Sequence, residues 1–531
     1  DEIEKLFYER MEISEGIAIC KTAFDMPIFD DNREDEKLKR IAEASTLDIR
    51  DFNMNLYRTL ADASKKRQIE VTSGKRYALI GKGISHSLSK EVHRMLGTVN
   101  YDLINAENVT EIEKILRDDR YAGFNVTSPY KSKIIRYLDE ISDVARELNA
   151  VNTIIRKSDG TLVGTNTDVF GFMELAKITK PFGRKVMVLG SGGGASAVCS
   201  GMKKLGASEI TVVSRHPDTA GRHFRELSTR VISYKDIPEF GDADIIVNAT
   251  NVGMYPHNGT SPFIKAGVKL PGLDKAEWAV DIIYNPYRTR FLLNYKDLGK
   301  KTVSGLPMLV WQAIKAEELW GNIADDIDKR SLAKIVLTKC LTSQLNVSFV
   351  GMPGSGKSSI SRRLAIKMGR EFIDIDRVAE ADMGMKVSDV ITDEKLGEEY
   401  FRNIETGVLA RECKEDGRVI ATGGGSVLRK INRNCIRENS IVIYMKRPLR
   451  LITTKNRPIS IREGVQNIYN SRAGLYQRTA DIILFNERRF GGVRQGGNNK
   501  SYIQDINVFA LELKELFEKK IEEIVRLMID E

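Results

Sequence analysis

The sequence predicts a multidomain chain in which a short all-α module is followed by two α/β regions. Residues 1–70 have the apolar spacing of helices and no strand pattern. Further along, glycine turns at Gly190 and Gly351 each follow an apolar strand and precede a helix, which is typical of α/β units. The 531 residues are enough for roughly three or four domains.

The composition is that of an ordinary globular protein, with 42% hydrophobic and 29% charged residues. The net charge of +9 comes from Lys and Arg residues scattered among acidic ones, and no nucleic-acid-binding motif accompanies it. We therefore expect anionic small substrates and no nucleic acid; a nucleic-acid-binding protein would instead show strongly salt-sensitive affinity.

The cysteines and the hydropathy pattern bear on the compartment. No apolar run reaches the roughly 18 residues of a membrane span. The sequence begins at Asp1 without Met, which leaves an upstream targeting segment open. We expect a cytoplasmic protein with no membrane partner and with five reduced thiols that lack metal or redox spacing: Cys20, Cys199, Cys340, Cys413 and Cys435.

Residues 1–70 are predicted to form three helices. Apolar residues recur at helical spacing from Glu2 to Lys21, Asp30 opens a second helix that runs through Ile41, and a third extends from Leu47 to Lys66. Because three helices cannot enclose a large core, we expect a homodimer formed through them.

The polar residues of this module follow the spacing of a known family. The spacing of Glu9-Arg10-Met-Glu-Ile, Lys21, Met26-Pro-Ile-Phe-Asp30, Arg33-Glu34 and Ser64 to Gln68 resembles the all-helical chorismate mutases. That family rearranges chorismate to prephenate without a cofactor, by holding a dicarboxylate in a reactive shape and stabilising charge on its ether oxygen.

The resemblance implies a role for each of these side chains. Arg10 and Arg33 would hold carboxylates, and Lys21 and Gln68 would face the ether oxygen. The residues that would orient the ring hydroxyl and its neighbours are Asp30, Glu34 and Ser64. The first helix of the family starts earlier than here, so the alternative is a non-catalytic dimerisation or regulatory module.

The stretch from Lys185 to Ala195 combines an apolar strand, a glycine turn and the start of a helix. Gly190, Gly192 and Ala195 have the G-x-G-x-x-A spacing that lets a backbone approach a pyrophosphate at a helix N-terminus. A second buried strand, Glu209 to Val213, is followed by Ser214-Arg215 rather than by an acidic residue. Arginine suits a 2′-phosphate, which predicts NADP rather than NAD; the alternative is an ordinary surface arginine.

Polar residues accompany several strands upstream of this turn. The segment from Gly81 to Ser89 follows the strand Arg76 to Ile80, and the segments Asn149 to Asn152 and Gly164 to Asp168 are each expected to end an apolar strand. Ligands bind at strand ends in α/β sheets. Serine could instead cap a helix, and Asn or Asp could form a turn.

Taken together and in order, these segments resemble the shikimate dehydrogenases over residues 76–320. The resemblance extends to Tyr121 to Lys131, Val247-Asn-Ala-Thr250, Val280-Asp-Ile-Ile-Tyr284-Asn-Pro and Ser304-Gly305 to Gln312. It implies NADPH-dependent reduction of 3-dehydroshikimate to shikimate, with a substrate lobe (about 76–175 and 305–320) and a Rossmann NADP-binding lobe (about 180–304). A catabolic quinate/shikimate oxidoreductase that uses NAD is the alternative, and Arg215 argues against it.

The same resemblance implies the site residues. Lys131 would transfer the proton and Asp168 would hold its amine and a substrate hydroxyl, although a surface ion pair is the alternative. Ser87 and Ser89 would bind the substrate carboxylate, and the other substrate contacts would be Thr127, Asn152, Tyr284 and Gln312. The expected cofactor contacts are Gly190, Gly192, Gly193, Ala195, Ser214, Arg215, Thr250 and Gly305.

The last region, residues 346–531, opens on a phosphate-loop motif after a mainly helical linker at 321–345. The strand Asn346 to Val350 precedes G-x-x-x-x-G-K-S, whose amides cradle the phosphates of a nucleotide. Lys357 would reach the β/γ oxygens of ATP, and Ser358 would ligate Mg²⁺. The expected nucleotide contacts are Gly351, Gly354, Ser355, Gly356, Lys357, Ser358 and Ser359.

The residues after the phosphate loop resemble those of shikimate kinases, which phosphorylate shikimate with ATP. The segments that carry the resemblance are Phe372 to Asp376, Glu399 to Glu405, Ile420 to Gly425, Asn456-Arg457-Pro458 and Arg472 to Tyr476. The resemblance predicts an α/β P-loop domain with a parallel sheet.

The kinase resemblance also implies roles. Asp376 would deprotonate the 3-hydroxyl and Asp374 would support Mg²⁺, with a strand-end turn as the alternative for Asp376. Arg402 and Arg472 would grip the carboxylate, with a surface ion pair as the alternative for Arg402. The ring would lie against Gly424 and Gly425, and Arg457, in a lid that is short for the family, would stabilise the moving phosphate.

Overall fold

The computed structural model describes residues 2–23, 31–46, 48–240, 242–268, 275–452, 458–487 and 499–530. The chain forms two compact units, of which the first comprises Asp1–Asn166 with Ala316–Asp325 and the second Thr167–Lys315 with Asp326–Glu531. Among the helices in the described ranges, none combines the length and apolar character needed to span a bilayer.

The first unit begins with the three predicted helices. They are α1 (Glu2–Ala23), α2 (Asp31–Ala44) and α3 (Arg50–Ser73). α3 packs against both α1 and α2, which brings the polar residues of α1 and α3 to a common contact.

A mixed six-stranded sheet forms the rest of the first unit. Its elements are β1 (Arg76–Gly81), α4 (Ser89–Met95), β2 (Tyr101–Asn105), α5 (Val109–Leu116), β3 (Tyr121–Val126), β4 (Glu140–Ile141), α6 (Asp143–Leu148), β5 (Thr153–Arg156) and β6 (Leu162–Thr165). The strand order is β2-β1-β3-β5-β6-β4, with β1 parallel to β2 and β3, and β5 antiparallel to β3 and β6. Asn108 and Ser142 cap α5 and α6, each accepting a bond from a first-turn amide.

The prediction that Asn149 to Asn152 ends a strand is wrong. The helix α6 ends at Leu148 with Asn149 in the left-handed conformation, and Asn152 directly precedes β5. Because β5 runs antiparallel to β3, its start lies at the same edge of the sheet as the carboxyl end of β3. Asn152 therefore lies at the expected edge although the strand direction is reversed.

The second unit contains two parallel sheets, and the first of them is called here the glycine-turn sheet. Its elements are α7 (Asp168–Ala176), β7 (Lys185–Leu189), α8 (Gly193–Lys204), β8 (Glu209–Val213), α9 (Pro217–His223), β9 (Arg230–Ile232), β10 (Ile245–Asn248), α10 (Pro262–Ala266), β11 (Trp278–Asp281), α11 (Arg290–Asp297), β12 (Lys301–Val303) and α12 (Leu306–Leu319). The order β12-β11-β10-β7-β8-β9 reverses between β7 and β10. This is the doubly wound dinucleotide topology, with its crevice at the reversal.

The second parallel sheet is called here the phosphate-loop sheet, with order β14-β15-β13-β16-β17. Its elements are α13 (Lys329–Gln344), β13 (Asn346–Val350), α14 (Lys357–Met368), β14 (Phe372–Asp374), α15 (Ile375–Met383), α16 (Val387–Thr392), α17 (Gly397–Glu412), β15 (Val419–Ala421), α18 (Lys430–Glu438), β16 (Ser440–Lys446), α19 (Pro458–Glu463), α20 (Val465–Thr479), β17 (Ile482–Phe485) and α21 (Asn499–Ile529). The central β13 is buried along its whole length, as expected of a strand covered on both faces. Asp328 caps α13, which packs with α14 against α21.

Candidate active sites

The first candidate site lies where the strand order of the glycine-turn sheet reverses. Gly190 follows β7 with φ +112°, and a Cβ on it would lie 2.8 Å from Thr250 Cγ2 after β10. Gly192 precedes α8 without a side-chain cap, and Cβ atoms built on Gly192 or Gly193 would point into open space. The free amides at this helix start therefore face room for a pyrophosphate, and Ala195 is buried one turn later.

A buried chain of hydrogen bonds fixes Thr250. Its Oγ1 donates to Asn248 Oδ1 over 2.7 Å, and Asn248 Nδ2 donates to both oxygens of Asp281 over 3.1 and 3.0 Å. Thr289 Oγ1 donates to the same carboxylate over 2.6 Å. Burial raises the pKa of Asp281 to about 7, against the effect of the donors around it. The chain ties the ends of β10 and β11 together beside the glycine turn.

The residues predicted near the ribose follow β8. Ser214 is buried, with its Oγ 2.9 Å from Ser191 Oγ, whereas Arg215 is exposed. An exposed guanidinium at this strand end suits a 2′-phosphate. Exposure is equally typical of a surface arginine, so the role of Arg215 stays a prediction.

The second unit also holds four of the predicted dehydrogenase residues outside the turn. Asp168 opens α7 and is half-buried, and Gln312 on α12 is buried with its Oε1 3.4 Å from Thr167 Oγ1. Gly171 allows this approach, because a Cβ there would lie 2.9 Å from Gln312 Cβ. Gly305 N donates to Ile283 O over 2.9 Å, next to the half-buried Tyr284.

The first unit holds the other predicted substrate residues. Ser87 Oγ lies 3.1 Å from the Oγ of the buried Ser89 and also accepts a bond from Ser89 N, the first amide of α4, over 3.3 Å. Thr127 and the half-buried Lys131 follow β3, and Lys131 O accepts a bond from Val151 N over 2.8 Å. This main-chain bond joins the segment after β3, which holds Thr127 and Lys131, to the segment before β5, which holds Asn152.

Three residues that the sequence reasoning did not assign hold Asn152. Tyr101 Oη donates to Asn125 Oδ1 over 2.7 Å, and Asn125 Nδ2 donates to Thr153 Oγ1 over 3.1 Å. Thr153 Oγ1 in turn donates to Asn152 Oδ1 over 3.1 Å, which leaves the amide of Asn152 oriented by a buried relay.

The second candidate site is the phosphate loop between β13 and α14. Gly351, Gly354 and Gly356 have φ values of +149°, +83° and +96°, so the loop needs glycine at each position. Lys357 Nζ donates to Gly351 O over 2.9 Å and to Met352 O over 3.1 Å, which draws its ammonium into the loop.

The hydroxyls of this loop differ in their surroundings. Ser355 Oγ is buried and has no hydrogen-bond partner among the described residues, while Ser358 and Ser359 are exposed at the start of α14. Asn486 Nδ2 fixes the loop from β17 by donating to Ser355 O over 3.0 Å. The loop therefore has the donors and the left-handed turns that fit nucleotide phosphates.

Two buried arginines meet at a glycine turn beside the phosphate loop. Arg402 is 6% exposed and Arg472 is 4% exposed, which excludes the surface alternative for Arg402. A Cβ on Gly425 would overlap the Arg402 guanidinium, and Arg472 Nη1 donates to Gly424 O over 3.3 Å. A Cβ on Gly424 would lie 2.5 Å from Pro353 Cγ of the loop. The turn therefore places two guanidiniums next to the nucleotide site.

The hydrogen bonds of these arginines leave donors unused. Arg402 donates from Nη1 to Glu405 Oε2 over 2.8 Å and from Nη2 to Glu398 Oε1 over 3.0 Å. The Nε atoms of Arg402 and Arg472 are both buried without a partner in the described part of the chain. Unused buried guanidinium donors suit a bound carboxylate.

Asp376 lies in the first turn of α15, not in a strand-end turn. A Cβ on Gly423 would lie 2.6 Å from Asp376 Oδ1 and 2.8 Å from Glu405 Oε1, so the two carboxylates converge there. Burial, with the charges of Glu405 and Asp374, raises the pKa of Asp376 to about 7, although Lys357 and Arg402 act in the opposite direction. A carboxyl group with a pKa near neutrality is suited to accept a proton.

The structure brings three predicted residues of the N-terminal module together. Arg10 Nε on α1 donates to Ser64 Oγ on α3 over 2.9 Å, and to Leu60 O over 3.4 Å. Gln68 lies one turn beyond Ser64 on α3, and both are buried. Asp30 and Arg457 lie outside the described residues, and so do the side chains of Lys21, Arg33 and Glu34.

Two further residues of the phosphate-loop region were missed by the sequence reasoning. Glu405 falls three residues after Arg402 and therefore on the same helix face, which is a usable local signal. Asn486 lies 131 residues from the loop carbonyl that it contacts, and no local pattern marks it.

Three family models match three separate parts of the chain, in order along the sequence. Chorismate mutase type II matches residues 1–69, the shikimate dehydrogenase substrate-binding domain matches residues 79–154, and shikimate kinase matches residues 353–490. The matches confirm the fusion predicted from the motifs.

Known proteins are similar to the middle of the chain. The shikimate dehydrogenase (NADP(+)) of Clostridium perfringens is 37% identical over 262 residues, which cover 48% of this chain and 94% of that protein. The enzyme of the same name from Caldicellulosiruptor bescii is 36% identical over 271 residues, which cover 47% of this chain and 91% of that protein. A chorismate mutase/shikimate 5-dehydrogenase fusion from Clostridium acetobutylicum, known as a crystal structure, is 35% identical, covers 50% of this chain and 98% of its own, and has a TM-score of 0.43. Because the chain covers more than nine tenths of these two shikimate dehydrogenases (NADP(+)) at 36 and 37% identity, it belongs to the shikimate dehydrogenase family, and it carries this region between a chorismate mutase type II domain and a shikimate kinase domain.

Proposed function

We propose that the chain reduces 3-dehydroshikimate to shikimate with NADPH, phosphorylates shikimate to shikimate 3-phosphate with ATP, and rearranges chorismate to prephenate. We assign the reactions to residues 76–320, 346–531 and 1–70, with a helical linker at 321–345. The strongest single observation supports the kinase reaction: the turn Gly423–Gly425 gathers two buried arginines and a carboxyl group with a pKa of about 7 beside the phosphate loop. These groups suit a substrate with one carboxylate and one reactive hydroxyl.

In the dehydrogenase region, NADPH bound at Gly190–Ala195 supplies the hydride. Reduction leaves an alkoxide, and Lys131 gives it a proton while Asp168 holds the ammonium and a neighbouring hydroxyl. The hydroxyls of Ser87 and Ser89, whose oxygens are 3.1 Å apart, donate to the substrate carboxylate. Thr127, Asn152, Tyr284 and Gln312 bind the remaining oxygens.

In the kinase domain, ATP with Mg²⁺ supplies the phosphoryl group. Asp376 takes the proton of the 3-hydroxyl, and Lys357 neutralises charge on the transferred group. Ser358 and Asp374 would hold Mg²⁺, which would neutralise charge on the ATP phosphates. Arg402 and Arg472 bind the carboxylate, and Arg457 belongs to the lid.

For the N-terminal module we propose a homodimer. Leu6, Ile13 and Phe52 are each more than half exposed, which is unusual for apolar residues of a small helical unit and supports a partner of the same kind. The same exposure supports the second candidate, a module that only assembles the protein. Loss of chorismate absorbance distinguishes the two, because a catalytic module loses it in wild type and not in Lys21→Ala, whereas an assembly module shows no conversion at all.

A single reaction tests the dehydrogenase and kinase assignments together. NADPH, ATP, Mg²⁺ and 3-dehydroshikimate mixed with the protein should give loss of NADPH and formation of shikimate 3-phosphate. Unphosphorylated shikimate as the final product would reject the kinase assignment, and no loss of NADPH would reject the dehydrogenase assignment. Replacing NADPH by NADH in the same assay tests the catabolic NAD-dependent alternative.

A further inference from the structure

The kinase domain contacts the NADP-binding lobe through a buried arginine. Arg288, which precedes α11, donates from Nη1 and Nη2 to Asp481 at the start of β17 over 3.1 and 3.0 Å. The two side chains are 9% and 7% exposed. Arg288 Nη1 also lies within 3.3 Å of Arg437 O and 3.2 Å of Ser440 O, and Arg288 N donates to Glu438 O over 2.8 Å. Both main chain and side chain of this residue are therefore held by the kinase domain.

The helix α11 adds further charged contacts to this interface. Lys296 Nζ lies 3.1 Å from the same Asp481 carboxylate, and the next residue, Asp297, which ends the helix, pairs with Arg437 over 2.7 Å. Burial opposes ionisation of Asp481, but Arg288 and Lys296 outweigh it and hold the pKa of this carboxyl well below its usual range. Asp481 therefore stays a full counter-ion at neutral pH.

Thr289, the residue next to Arg288, is bonded to the NADP-binding lobe rather than to the kinase domain. Thr289 Oγ1 donates to Asp281 within the NADP-binding lobe, and Asp281 also accepts from Ile283 N over 3.0 Å. The segment 282–289 is thus closed at its base by the lobe and fixed near its end by the kinase domain. Tyr284, a proposed substrate contact, lies within this segment.

We propose that Arg288 is a positioning residue of the dehydrogenase: docked on Asp481 of the kinase domain, it holds segment 282–289 so that Tyr284 meets the substrate. The inference rests on the role given to Tyr284 under the proposed function. A residue of one enzyme would then set the substrate affinity of the other.

The physical reason lies in the cost of an unpaired buried charge. Without the Asp481 charge, the buried Arg288 guanidinium has no counter-ion, which is strongly unfavourable, whereas the exposed Lys296 can turn to solvent. Arg288 relieves this by moving towards solvent, and its main chain, bonded to Glu438 O, moves with it. Thr289 keeps its bond to Asp281 and so holds the chain of hydrogen bonds beside the glycine turn at Gly190, whereas Tyr284 lies in the segment that Arg288 fixes.

The test compares two substitutions of interface aspartates in the full-length protein. Asp481→Asn keeps the shape and removes the charge, and Asp297→Asn is the matched control because it breaks the other ion pair between α11 and the kinase domain, the one with Arg437, and leaves the Arg288–Asp481 pair in place. Shikimate oxidation with NADP, in the absence of ATP, gives KM and kcat. We expect Asp481→Asn to raise the KM for shikimate about three- to tenfold while kcat and the KM for NADP change less than twofold, and Asp297→Asn to leave all three unchanged.

Two further variants separate the inference from the proposed function. Tyr284→Phe should raise the KM for shikimate; if it does not, the role of Tyr284 fails, whatever Asp481→Asn does. If Tyr284→Phe raises KM but Asp481→Asn matches Asp297→Asn, the positioning role is rejected. Arg288→Lys keeps the positive charge but cannot donate two parallel hydrogen bonds to Asp481, so it should give a KM for shikimate between those of wild type and Asp481→Asn. If Asp481→Asn does not fold, Arg288→Lys replaces it in the test.

Discussion

Replacing Glu405 by Gln tests the electrostatics of the kinase site. Burial is the main reason why the pKa of Asp376 is about 7, and the charge of Glu405 is the next. The proposed role requires Asp376 to be ionised. Its ionised fraction is roughly one tenth at pH 6 and nine tenths at pH 8, so phosphorylation at limiting substrate concentrations should rise about tenfold between them.

The size of the Glu405 effect follows from the geometry. Asp376 Oδ1 and Glu405 Oε1 lie 2.6 and 2.8 Å from one point, and so within about 5.4 Å of each other. At an effective dielectric constant of about 20, two charges at this distance repel by roughly 3 kcal/mol, which corresponds to about two pH units. The ion pair of Glu405 with Arg402 screens part of this repulsion. We therefore expect Glu405→Gln to move the acid limb of the rate profile down by about one unit.

The assay is phosphorylation of shikimate from pH 5.5 to 8.5 with both substrates well below their KM. The Gln side chain still accepts the bond that Ser426 Oγ donates to Glu405 Oε1, so the glycine turn should stay in place. Two results would refute the reasoning. One is an acid limb of the wild-type pH–rate profile whose midpoint lies near pH 4, and the other is an acid limb that Glu405→Gln does not shift.

Three other substitutions test separate parts of the chain. Lys131→Ala should lower dehydrogenase turnover by roughly two orders of magnitude or more while NADPH binding, followed by fluorescence, changes little, and turnover within a few-fold of wild type would contradict its role. Asp376→Asn should abolish phosphorylation and raise the kinase unfolding temperature at pH 8 but not at pH 4; because the folded pKa is raised, the native carboxyl costs stability as pH rises from about 4 to 7. Glu317→Ala should destabilise the first unit by roughly 3 kcal/mol in chemical unfolding, because it leaves the buried side chains of His93 and Thr98 without their carboxylate partner, and a loss below 1 kcal/mol would contradict this.

The elements that could be predicted from the sequence are those whose chemistry is local. A glycine turn between a strand and a helix needs its residues at fixed spacing, so the loops at Gly190 and Gly351 could be located from about ten residues each. The strands before them match the prediction because buried parallel strands are continuous apolar runs. The proximity of Arg402 to Gly425 agrees with what the resemblance to shikimate kinases implies, and no local spacing predicts it.

Strand direction was not accessible in the same way. The apolar residues of a strand do not indicate in which direction it runs. In the structure, Asn149 is left-handed and ends α6, and the next strand begins at Thr153; no strand ends at Asn152. The relay from Tyr101 through Asn125 was equally hidden, because it joins three strands. Such residues become visible only when the pairing of the strands is known.

The Arg288 contact was beyond sequence reasoning for a further reason, and that reason bears on what joining two enzymes in one chain achieves. Arg288 and Asp481 are 193 residues apart, and neither belongs to a motif of its own region. A linker by itself raises the effective concentration of one site near another and leaves the affinity of each site unchanged. A buried ion pair between the domains instead makes the shape of one a condition for ligand binding in the other. Binding free energies are reciprocal. If a kinase ligand strengthens this docking and thereby raises the affinity of the dehydrogenase for shikimate by some factor, then shikimate bound in the dehydrogenase must raise the affinity of the kinase for that ligand by the same factor.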